Sequence, residues 1–403
     1  MKITMEDIFN DTRQAFVYKT NGQLRKAYWL FKMMKFNWLI STGTGIILKA
    51  IEWRLPVKGL LKNTLYSQFV GGETLEKATP AIKKLDEYNV DVILDYGAEA
   101  KEGEHNFDMA RDEFIKAISY ASSQKSIPFI SLKITALARF DLLEKINPHV
   151  TINEKDLSID LSSLTSAEQQ EWDRLLQRTF AICEHAATQK LGVLIDAEES
   201  WIQDSIDAVV MMAMERFNKK QAVVYNTIQL YRHDKLAFLK QSAALASGRS
   251  YWLAVKLVRG AYMEKERARA LASCSQSLIQ PDKSATDADF NKAVSFCLTQ
   301  PEPIALVVAT HNEDSNILAL QLLEKDPSRQ DITFFSQLYG MSDNITFNLA
   351  KAGFKVSKYL PYGSVEDVIP YLLRRAQENS SVAGQTGREL YLLSSEMARR
   401  GLV

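Results

Sequence analysis

Short runs of apolar and β-branched residues recur along most of this chain, and stretches with the apolar spacing of amphipathic helices separate them. The clearest helical stretch begins at Thr165 and Glu168, which have the spacing of a capping box, and continues through apolar positions from Trp172 to Cys183. Eight runs have the length and composition of buried strands: Val90–Leu94, Phe129–Ile134, Gly192–Ile195, Val223–Ile228, Trp252–Val258, Ile304–Ala309, Ile332–Phe335 and Phe354–Tyr359.

Strands that alternate with helices along a chain pair in parallel through right-handed crossovers. Eight such strands within roughly 290 residues meet the requirement of a closed (βα)8 barrel, so we predict an α/β fold of the TIM-barrel type. An open doubly wound sheet is the alternative architecture. It is disfavoured because no glycine-rich fingerprint follows the first strand.

The first seventy residues differ from the remainder, because they are aromatic-rich and basic and contain no convincing strand. Apolar positions from Leu24 to Phe31 have helical spacing after a candidate cap at Asn21. We therefore predict an N-terminal helical arm over residues 1–70 and a barrel domain over residues 71–403.

The charge of the chain limits the partners that it can bind. The formal net charge is +0, so no basic field is present to hold nucleic acid. The local basic stretches Arg25–Lys26 and Lys32–Lys35 are interpreted as solvated helix faces, and no clear amphipathic anchor stands out. The cysteines Cys183, Cys274 and Cys297 lack paired spacing. Since the first residues also resemble neither a signal nor a transit peptide, we expect a cytoplasmic protein.

Polar residues end or interrupt seven of the eight predicted strands. In a barrel these positions converge on one mouth, where active sites lie. A single polar residue at a strand end is more often a satisfied structural group, but seven strands together favour a site. The residues are Lys133, Asp196, Glu198, Gln229, Lys256, Arg259, Thr310, His311, Asn312, Gln337 and Tyr359. Because His311 is the one histidine at a strand end, metal chemistry is a weak alternative and we expect no metal site.

A second candidate group lies near the C-terminus, in what reads as the last helix. Arg374, Arg375 and Glu378 are spaced so that one helical face can present them together. An ordinary solvated salt bridge is one interpretation. The other is a clamp for a small carboxylate, since adjacent arginines suit bidentate recognition.

Several separate motifs resemble those of proline dehydrogenases, and they occur in the order found in that family. They are Leu253–Tyr262 (LAVKLVRGAY), Thr286–Asp287 with Asn291, Ala309–Asn312, Gln337–Met341, Tyr359–Gly363 and Tyr371–Ala376 followed by Glu378–Asn379. The resemblance covers the chain from about Gly71 onward. Met263 departs from it, because many members of the family have tryptophan at this position.

The resemblance implies a barrel that binds FAD non-covalently and oxidises L-proline to 1-pyrroline-5-carboxylate, with the arginine helix over the barrel mouth. It also implies a membrane quinone as electron acceptor, hence peripheral contact with the inner membrane, and a pyrroline-5-carboxylate dehydrogenase as candidate partner. The catalytic residues would be Lys133, Asp196 and Lys256. The residues that bind substrate would be Lys133, Leu338, Tyr359, Arg374, Arg375 and Glu378. The residues that bind the flavin would be Glu198, Gln229, Lys256, Arg259, Gly260, Ala261, Thr310, His311, Asn312 and Gln337.

Two other functions stay open at this point. A hydroxyproline dehydrogenase would share the fold and the cofactor, but the bulky Tyr359 would crowd a ring hydroxyl. A barrel that serves only as an interaction scaffold would show gaps among the polar positions, and the sequence shows none.

Overall fold

A computed structural model of the protein describes residues 5–35, 58–97, 102–381 and 383–402. Eight parallel strands form a closed barrel in the order β1-β10-β9-β8-β7-β6-β5-β2, and β3 and β4 pair in a separate antiparallel hairpin. The strands are β1 Asp91–Tyr96, β2 Phe129–Leu132, β3 Val150–Ile152, β4 Leu157–Ile159, β5 Gly192–Ile195, β6 Val224–Gln229, β7 Ala254–Val258, β8 Ala305–Ala309, β9 Thr333–Leu338 and β10 Val356–Tyr362.

The predicted barrel is confirmed, and each of the eight predicted runs contains a barrel strand. The boundaries move by one to three residues in places. The second strand ends at Leu132, so Lys133 follows the strand and begins a short 3-10 turn instead of interrupting the strand. The hairpin of β3 and β4 was not predicted, because two strands of three residues each leave little periodicity to detect.

The α-helices among the described residues alternate with the barrel strands and extend before and after them. They are α1 Thr12–Ala15, α2 Asn21–Met34, α3 Lys58–Leu61, α4 Ser67–Phe69, α5 Leu75–Asp86, α6 Glu104–Ser122, α7 Phe140–Ile146, α8 Ser166–Gln189, α9 Ser200–Phe217, α10 Lys235–Gly248, α11 Met263–Ala272, α12 Lys283–Thr299, α13 Glu313–Lys325, α14 Asp343–Lys351, α15 Val365–Ser381 and α16 Ala383–Arg399.

Two helix starts test the predicted caps. Thr165 and Glu168 form both hydrogen bonds of a capping box at the start of α8, as predicted. The start of α2 differs, because Thr20 is the N-cap and forms a capping box with Gln23, whereas Asn21 is already the first helical residue. A threonine hydroxyl can accept from a free backbone N–H at this position, so either residue type fits the sequence pattern.

One compact unit consists of Ala100–Phe335. It contains β2 and β5 to β8, whose parallel registers place their carboxyl ends side by side. Aromatic residues fill the opposite ends, where the Phe129 ring centroid lies 5.3 Å from that of Tyr225 and 4.8 Å from that of Phe334. Because the amino ends of these strands are filled by aromatic rings, the polar side chains of a site are expected at the carboxyl ends.

The other compact unit consists of Met1–Glu99 with Ser336–Val403. The strands β1 and β10 pair in parallel, with Ile93 opposite Tyr359. Apolar side chains of α2, α15 and α16 share one hydrophobic core cluster. The predicted helical arm contains helices on both sides of residues 36–57, which lie outside the described residues. The prediction that the arginine-bearing helix is the last helix is wrong. Helix α15 carries the arginines, and α16 follows it.

Candidate functional site

A buried ion pair between Asp196 and Lys256 joins two barrel strands, β5 and β7. Asp196 follows β5 directly, and Lys256 lies in the middle of β7. The Lys256 ammonium contacts Asp196 Oδ1, and the two side chains are only 6% and 14% exposed. Ser131 of β2 donates to the same oxygen at 2.9 Å. A buried carboxylate is thus held between a cation and a hydroxyl, although 60 positions separate the ionic partners in sequence.

Glu198 lies two residues after Asp196 and is almost fully buried. Its carboxylate accepts from the backbone N–H of Thr135 at 3.1 Å and from the Thr135 hydroxyl at 2.6 Å. Burial raises the pKa of Glu198 to about 7, although Thr135 and the nearby charge of Lys133 oppose this rise. Lys133 and Glu198 are predicted separately at two strand ends. The charge of Lys133 lowers the pKa of Glu198, so the two side chains are near each other.

The raised pKa of Glu198 gives a stability prediction. Between pH values of about 4.5 and 7 the unfolded chain releases this proton while the folded protein retains it, so the free energy of unfolding falls as pH rises. We expect wild type to lose about 1–3 kcal/mol over this range relative to Glu198→Gln. Denaturant titrations of both proteins across the range measure the difference. Comparison with the variant cancels the contributions of Asp91 and Glu389 to the pH dependence, because burial also raises their pKa values to about 7. Parallel pH profiles would refute the prediction.

Arg259 organises a second polar group at the carboxyl ends of β7 and β8. Its guanidinium donates to Asp287 Oδ1 at 2.7 Å, to the Thr310 hydroxyl at 2.5 Å and to the Ser315 hydroxyl at 3.1 Å. It also lies over the Phe290 ring, 4.4 Å from the centroid. These contacts fix a guanidinium fork that suits an anion such as a phosphate.

Asn312 and Asp287 support this group from two helices. Asn312 is the N-cap of α13 and accepts from the Ser315 N–H at 2.9 Å. Burial raises the pKa of Asp287, but its hydrogen bonds from Lys283 and Arg259 outweigh burial and leave that pKa below its ordinary value. Asp287 therefore stays ionised beside the guanidinium.

Gln229 and Gly260 provide features that a bound ring and phosphate group would use. The Gln229 side-chain nitrogen donates to the Glu198 carbonyl at 3.0 Å, while its buried side-chain oxygen has no hydrogen-bond partner among the described residues. Gly260 has a φ of +141°, and a Cβ there would lie 2.4 Å from the Tyr231 ring. Only glycine fits there, because the Tyr231 ring packs directly against the backbone beside Arg259 and the positive φ disfavours a side chain. Ala261 follows at the exposed start of the next turn.

His311 follows Thr310 after β8 and is half-buried, in the same compact unit as the residues above. The predicted residues of β9, β10 and α15 lie in the other compact unit. Tyr359 is half-buried in β10, and its carbonyl accepts from the Tyr339 N–H at 2.9 Å. Gln337 and Leu338 end β9, where the Gln337 side-chain oxygen accepts from the Thr346 hydroxyl at 2.8 Å.

The two arginines of α15 are placed differently from residues on a solvated helix face. Arg375 is only 8% exposed and lies over the Tyr371 ring, 5.2 Å from the centroid, and Arg374 is half-buried. The side chain of Glu378 lies outside the described residues. A largely buried guanidinium is more typical of a binding group than of a surface salt bridge.

The sequence reasoning missed a buried charged cluster around Asp343. Lys358 is fully buried in β10 and lies 2.9 Å from Asp343, which also accepts from the Tyr18 hydroxyl at 2.8 Å. Burial raises the pKa of Asp343, but Lys358 and Lys19 outweigh it, and the pKa is about 2. Lys358 is a charged residue in the middle of a predicted strand, and that position could have identified it. Ser131, Thr135 and Ser315 were missed as well, because hydroxyl residues within or beside strands are common.

Comparisons with known proteins identify the family of this chain. The sequence profile described as "Proline dehydrogenase" matches residues 78–388. The chain belongs to the proline dehydrogenase family. Proline dehydrogenase 1, mitochondrial, of Dictyostelium discoideum is 30% identical over 97% of this chain and 74% of its own length. Hydroxyproline dehydrogenase of Bos taurus is 31% identical over 96% of this chain and 92% of its own length.

A solved structure supports the family fold independently. The chain is similar to proline utilization A from Bdellovibrio bacteriovorus inactivated by N-propargylglycine, with a TM-score of 0.74 and 17% identity. The match covers 95% of this chain but only 42% of that longer protein. At this level of identity the likeness concerns the fold.

Two searches of the described residues bear on metal and membrane chemistry. Within residues 5–35, 58–97, 102–381 and 383–402, no group of three or more His, Cys, Asp or Glu is placed to hold a metal ion. In the same part of the chain, no helix has the length and apolarity needed to cross a bilayer.

Proposed function

We propose that this chain is a flavin-dependent enzyme that oxidises L-proline to 1-pyrroline-5-carboxylate. The observation that carries the proposal is the buried pair of Asp196, directly after β5, with Lys256 of β7, in a chain whose family match spans residues 78–388. A fixed, desolvated cation beside a carboxylate is what hydride removal from an amine requires, because charge and protons shift during the reaction.

The residues present fit FAD as the cofactor. The open acceptor oxygen of Gln229 suits an N–H donor of a ring. The Arg259 guanidinium suits a phosphate-bearing chain, and the neighbouring Gly260 is proposed to contact that chain as well. The further residues proposed to hold it are Glu198, Lys256, Ala261, Thr310, His311, Asn312 and Gln337. When bound, FAD supplies the two-electron acceptor that none of the side chains can provide.

Asp196, Lys256 and Lys133 would control charge and protons at the reacting centre. Lys256 keeps a positive charge in a buried position, where it stabilises negative charge that develops nearby. The amine of proline must be neutral to lose hydride readily, so a carboxylate such as Asp196 would accept the departing ammonium proton and pass it to solvent. Lys133 would contribute a second positive charge near the reacting centre.

Substrate recognition is proposed for a second group of residues. Arg374 and Arg375 would bind the proline carboxylate, with Glu378 holding their orientation. Leu338 and Tyr359 would pack against the ring, and the proposal places α15 over the barrel mouth. The buried position of Arg375 supports this role.

Tyr359 leads to a prediction on substrate preference. Its bulk would crowd a ring hydroxyl, so we expect kcat/KM for L-proline to exceed that for trans-4-hydroxy-L-proline by about ten- to a hundredfold. Steady-state turnover with an artificial acceptor measures both. Tyr359→Ala should narrow the ratio by improving the hydroxylated substrate. Equal or reversed preference in wild type would favour hydroxyproline dehydrogenase, a function suggested by the Bos taurus relative.

The proposed cofactor leads to a second prediction. The purified protein should be yellow, and acid precipitation should release the flavin as FAD. Covalent attachment through Cys183 or Cys297 is disfavoured, because burial raises the pKa of the Cys183 thiol to about 12 and that of Cys297 further. An absorption spectrum of the supernatant tests this. Colourless protein that gains no activity with added FAD would reject the proposal.

The setting of the enzyme is proposed on the same basis. Electrons would pass to a membrane quinone, and the protein would be cytoplasmic with peripheral contact to the inner membrane. A pyrroline-5-carboxylate dehydrogenase would consume the product, and no nucleic acid or metal would take part. The division into an arm over residues 1–70 and a barrel domain over 71–403 also stays a proposal.

A further inference from the structure

Helix α2 has two faces of opposite character. Its inner face contributes Leu24, Leu30 and Phe31 to the hydrophobic core cluster. Its outer face carries two large apolar side chains one turn apart: Trp29 is 57% exposed and Met33 is 49% exposed. Single exposed apolar residues are ordinary, but neighbouring ones on a helix face form a patch that indicates an interaction surface.

The charged residues of the segment that carries this patch have one sign. From Thr12 to Lys35 the chain contains six Lys or Arg residues and no Asp or Glu, although the whole chain is neutral. Arg25, Lys26 and Lys32 are exposed on α2, and the Lys32 ammonium lies 4.7 Å from the centroid of the Trp29 ring. The patch is therefore an apolar pair surrounded by cations.

The combination identifies the chemistry of the partner. Tryptophan is preferred at the level of lipid headgroups, exposed methionine gains by leaving water, and Lys or Arg side chains are attracted to anionic headgroups. We propose that the outer face of α2 docks on an anionic lipid surface, with Trp29 and Met33 in the interfacial layer and Arg25, Lys26 and Lys32 against lipid phosphates.

This contact is shallow, because the inner face of α2 remains packed in the core cluster. Binding must then come from two or three inserted side-chain surfaces and a few charge contacts, so it is reversible and sensitive to salt. Membrane binding would serve to deliver electrons from proline to a quinone dissolved in the membrane, and this purpose rests on the proposed function. The proposal that α2 binds lipid does not depend on the proposed function.

Sedimentation with lipid vesicles tests the proposal. The full chain is mixed with vesicles of phosphatidylcholine alone, or with roughly one third phosphatidylglycerol. We expect binding to the anionic vesicles that is lost near 0.5 M salt, where screening acts within about 3–5 Å. Lys32→Gln should weaken binding about fivefold, from the loss of one cation near the surface. Trp29→Ser with Met33→Ser should weaken it by more than about tenfold.

A matched control removes an exposed apolar residue elsewhere. Leu271 is 82% exposed on α11, whose first turn contains Glu264 and Glu266, so Leu271→Ser should bind vesicles as wild type does. Equal binding to neutral vesicles, or wild-type binding by the Trp29/Met33 double variant, would overturn the proposal. So would a dimer that the double variant converts to monomer in sedimentation, since a second copy would then cover the face.

Turnover with a soluble acceptor separates this proposal from the proposed function. Every variant should retain wild-type turnover of proline, because none of the changed residues belongs to the site. Normal turnover without vesicle binding would reject the lipid surface alone. Absence of turnover in wild type would reject the proposed function and leave the vesicle result standing.

Discussion

Asp196→Asn should lower kcat/KM for proline about 100-fold while the FAD content stays near that of wild type. The change keeps the shape of the side chain but removes the negative charge in contact with the Lys256 ammonium. Both side chains are largely buried, and removing one partner of such a pair leaves the other charge unpaired, which costs about 3–5 kcal/mol. A 100-fold loss of rate corresponds to about 3 kcal/mol in the transition state, which lies within that cost. Steady-state kinetics with an artificial acceptor and the flavin absorbance of purified protein measure the two quantities.

Asp207→Asn is a matched control for this prediction. Asp207 and Lys235 form another buried pair in the same compact unit, 2.7 Å apart, with side chains 1% and 3% exposed. The control should lose stability to denaturant by a similar amount, because its chemistry and burial are alike, yet keep its turnover. If Asp196→Asn also lost only stability, Asp196 would be a structural residue and the assigned catalytic role would be wrong.

Ser131→Ala refines the same prediction. Ser131 donates to the Asp196 oxygen that contacts Lys256, so its removal should disturb the orientation of the carboxylate without removing charge. A lost hydrogen bond to a charged group costs about 1.5–3 kcal/mol at most, so the expected fall in turnover is smaller, about tenfold. A shift in the pH profile of turnover toward that of Asp196→Asn would identify Ser131 as a positioning residue.

The sequence predicted the barrel because strand periodicity is a local property. The buried runs, such as Gly192–Ile195, are short and rich in apolar and β-branched residues, and the structure contains all eight strands. The polar residues at strand ends could be predicted for the same reason, because convergence at the carboxyl ends follows from the topology.

The sequence could not predict which side chains of the site contact one another. That Lys256 contacts Asp196, and that Arg259 contacts Asp287, depends on side-chain reach between strands and helices distant in sequence. The charged cluster at Asp343 was missed for a related reason. Its members Tyr18 and Lys358 are separated by hundreds of positions and meet only when chain ends pack together within one unit.

Arg375→Met and Arg374→Met should each lower kcat/KM for proline by roughly 30- to 1000-fold. If the two guanidinium groups bind the substrate carboxylate, each change removes a charge-assisted hydrogen bond in a desolvated site, worth on the order of 2–4 kcal/mol. The side chain of Arg375 is only 8% exposed, so a solvated salt bridge, worth a few tenths of a kcal/mol, does not describe its environment. Steady-state kinetics over a wide range of proline concentration distinguish a higher KM from a lower kcat.

Arg399→Met provides the comparison on a neighbouring helix. Arg399 donates to Glu396 at 2.7 Å from α16, and its own side chain is 40% exposed. The Glu396 carboxylate is buried, but it also pairs with Arg400, so Arg399→Met leaves it with a second cation. This variant should keep wild-type kinetics. FAD content should stay near normal in all three variants, because none of these arginines is assigned to the flavin. Glu378→Ala should also impair proline binding, since Glu378 follows the arginines by three and four positions. A kcat/KM within about a factor of two of wild type in both Arg374→Met and Arg375→Met would show that the arginines of α15 have only a structural role. A twofold change corresponds to less than about half a kcal/mol.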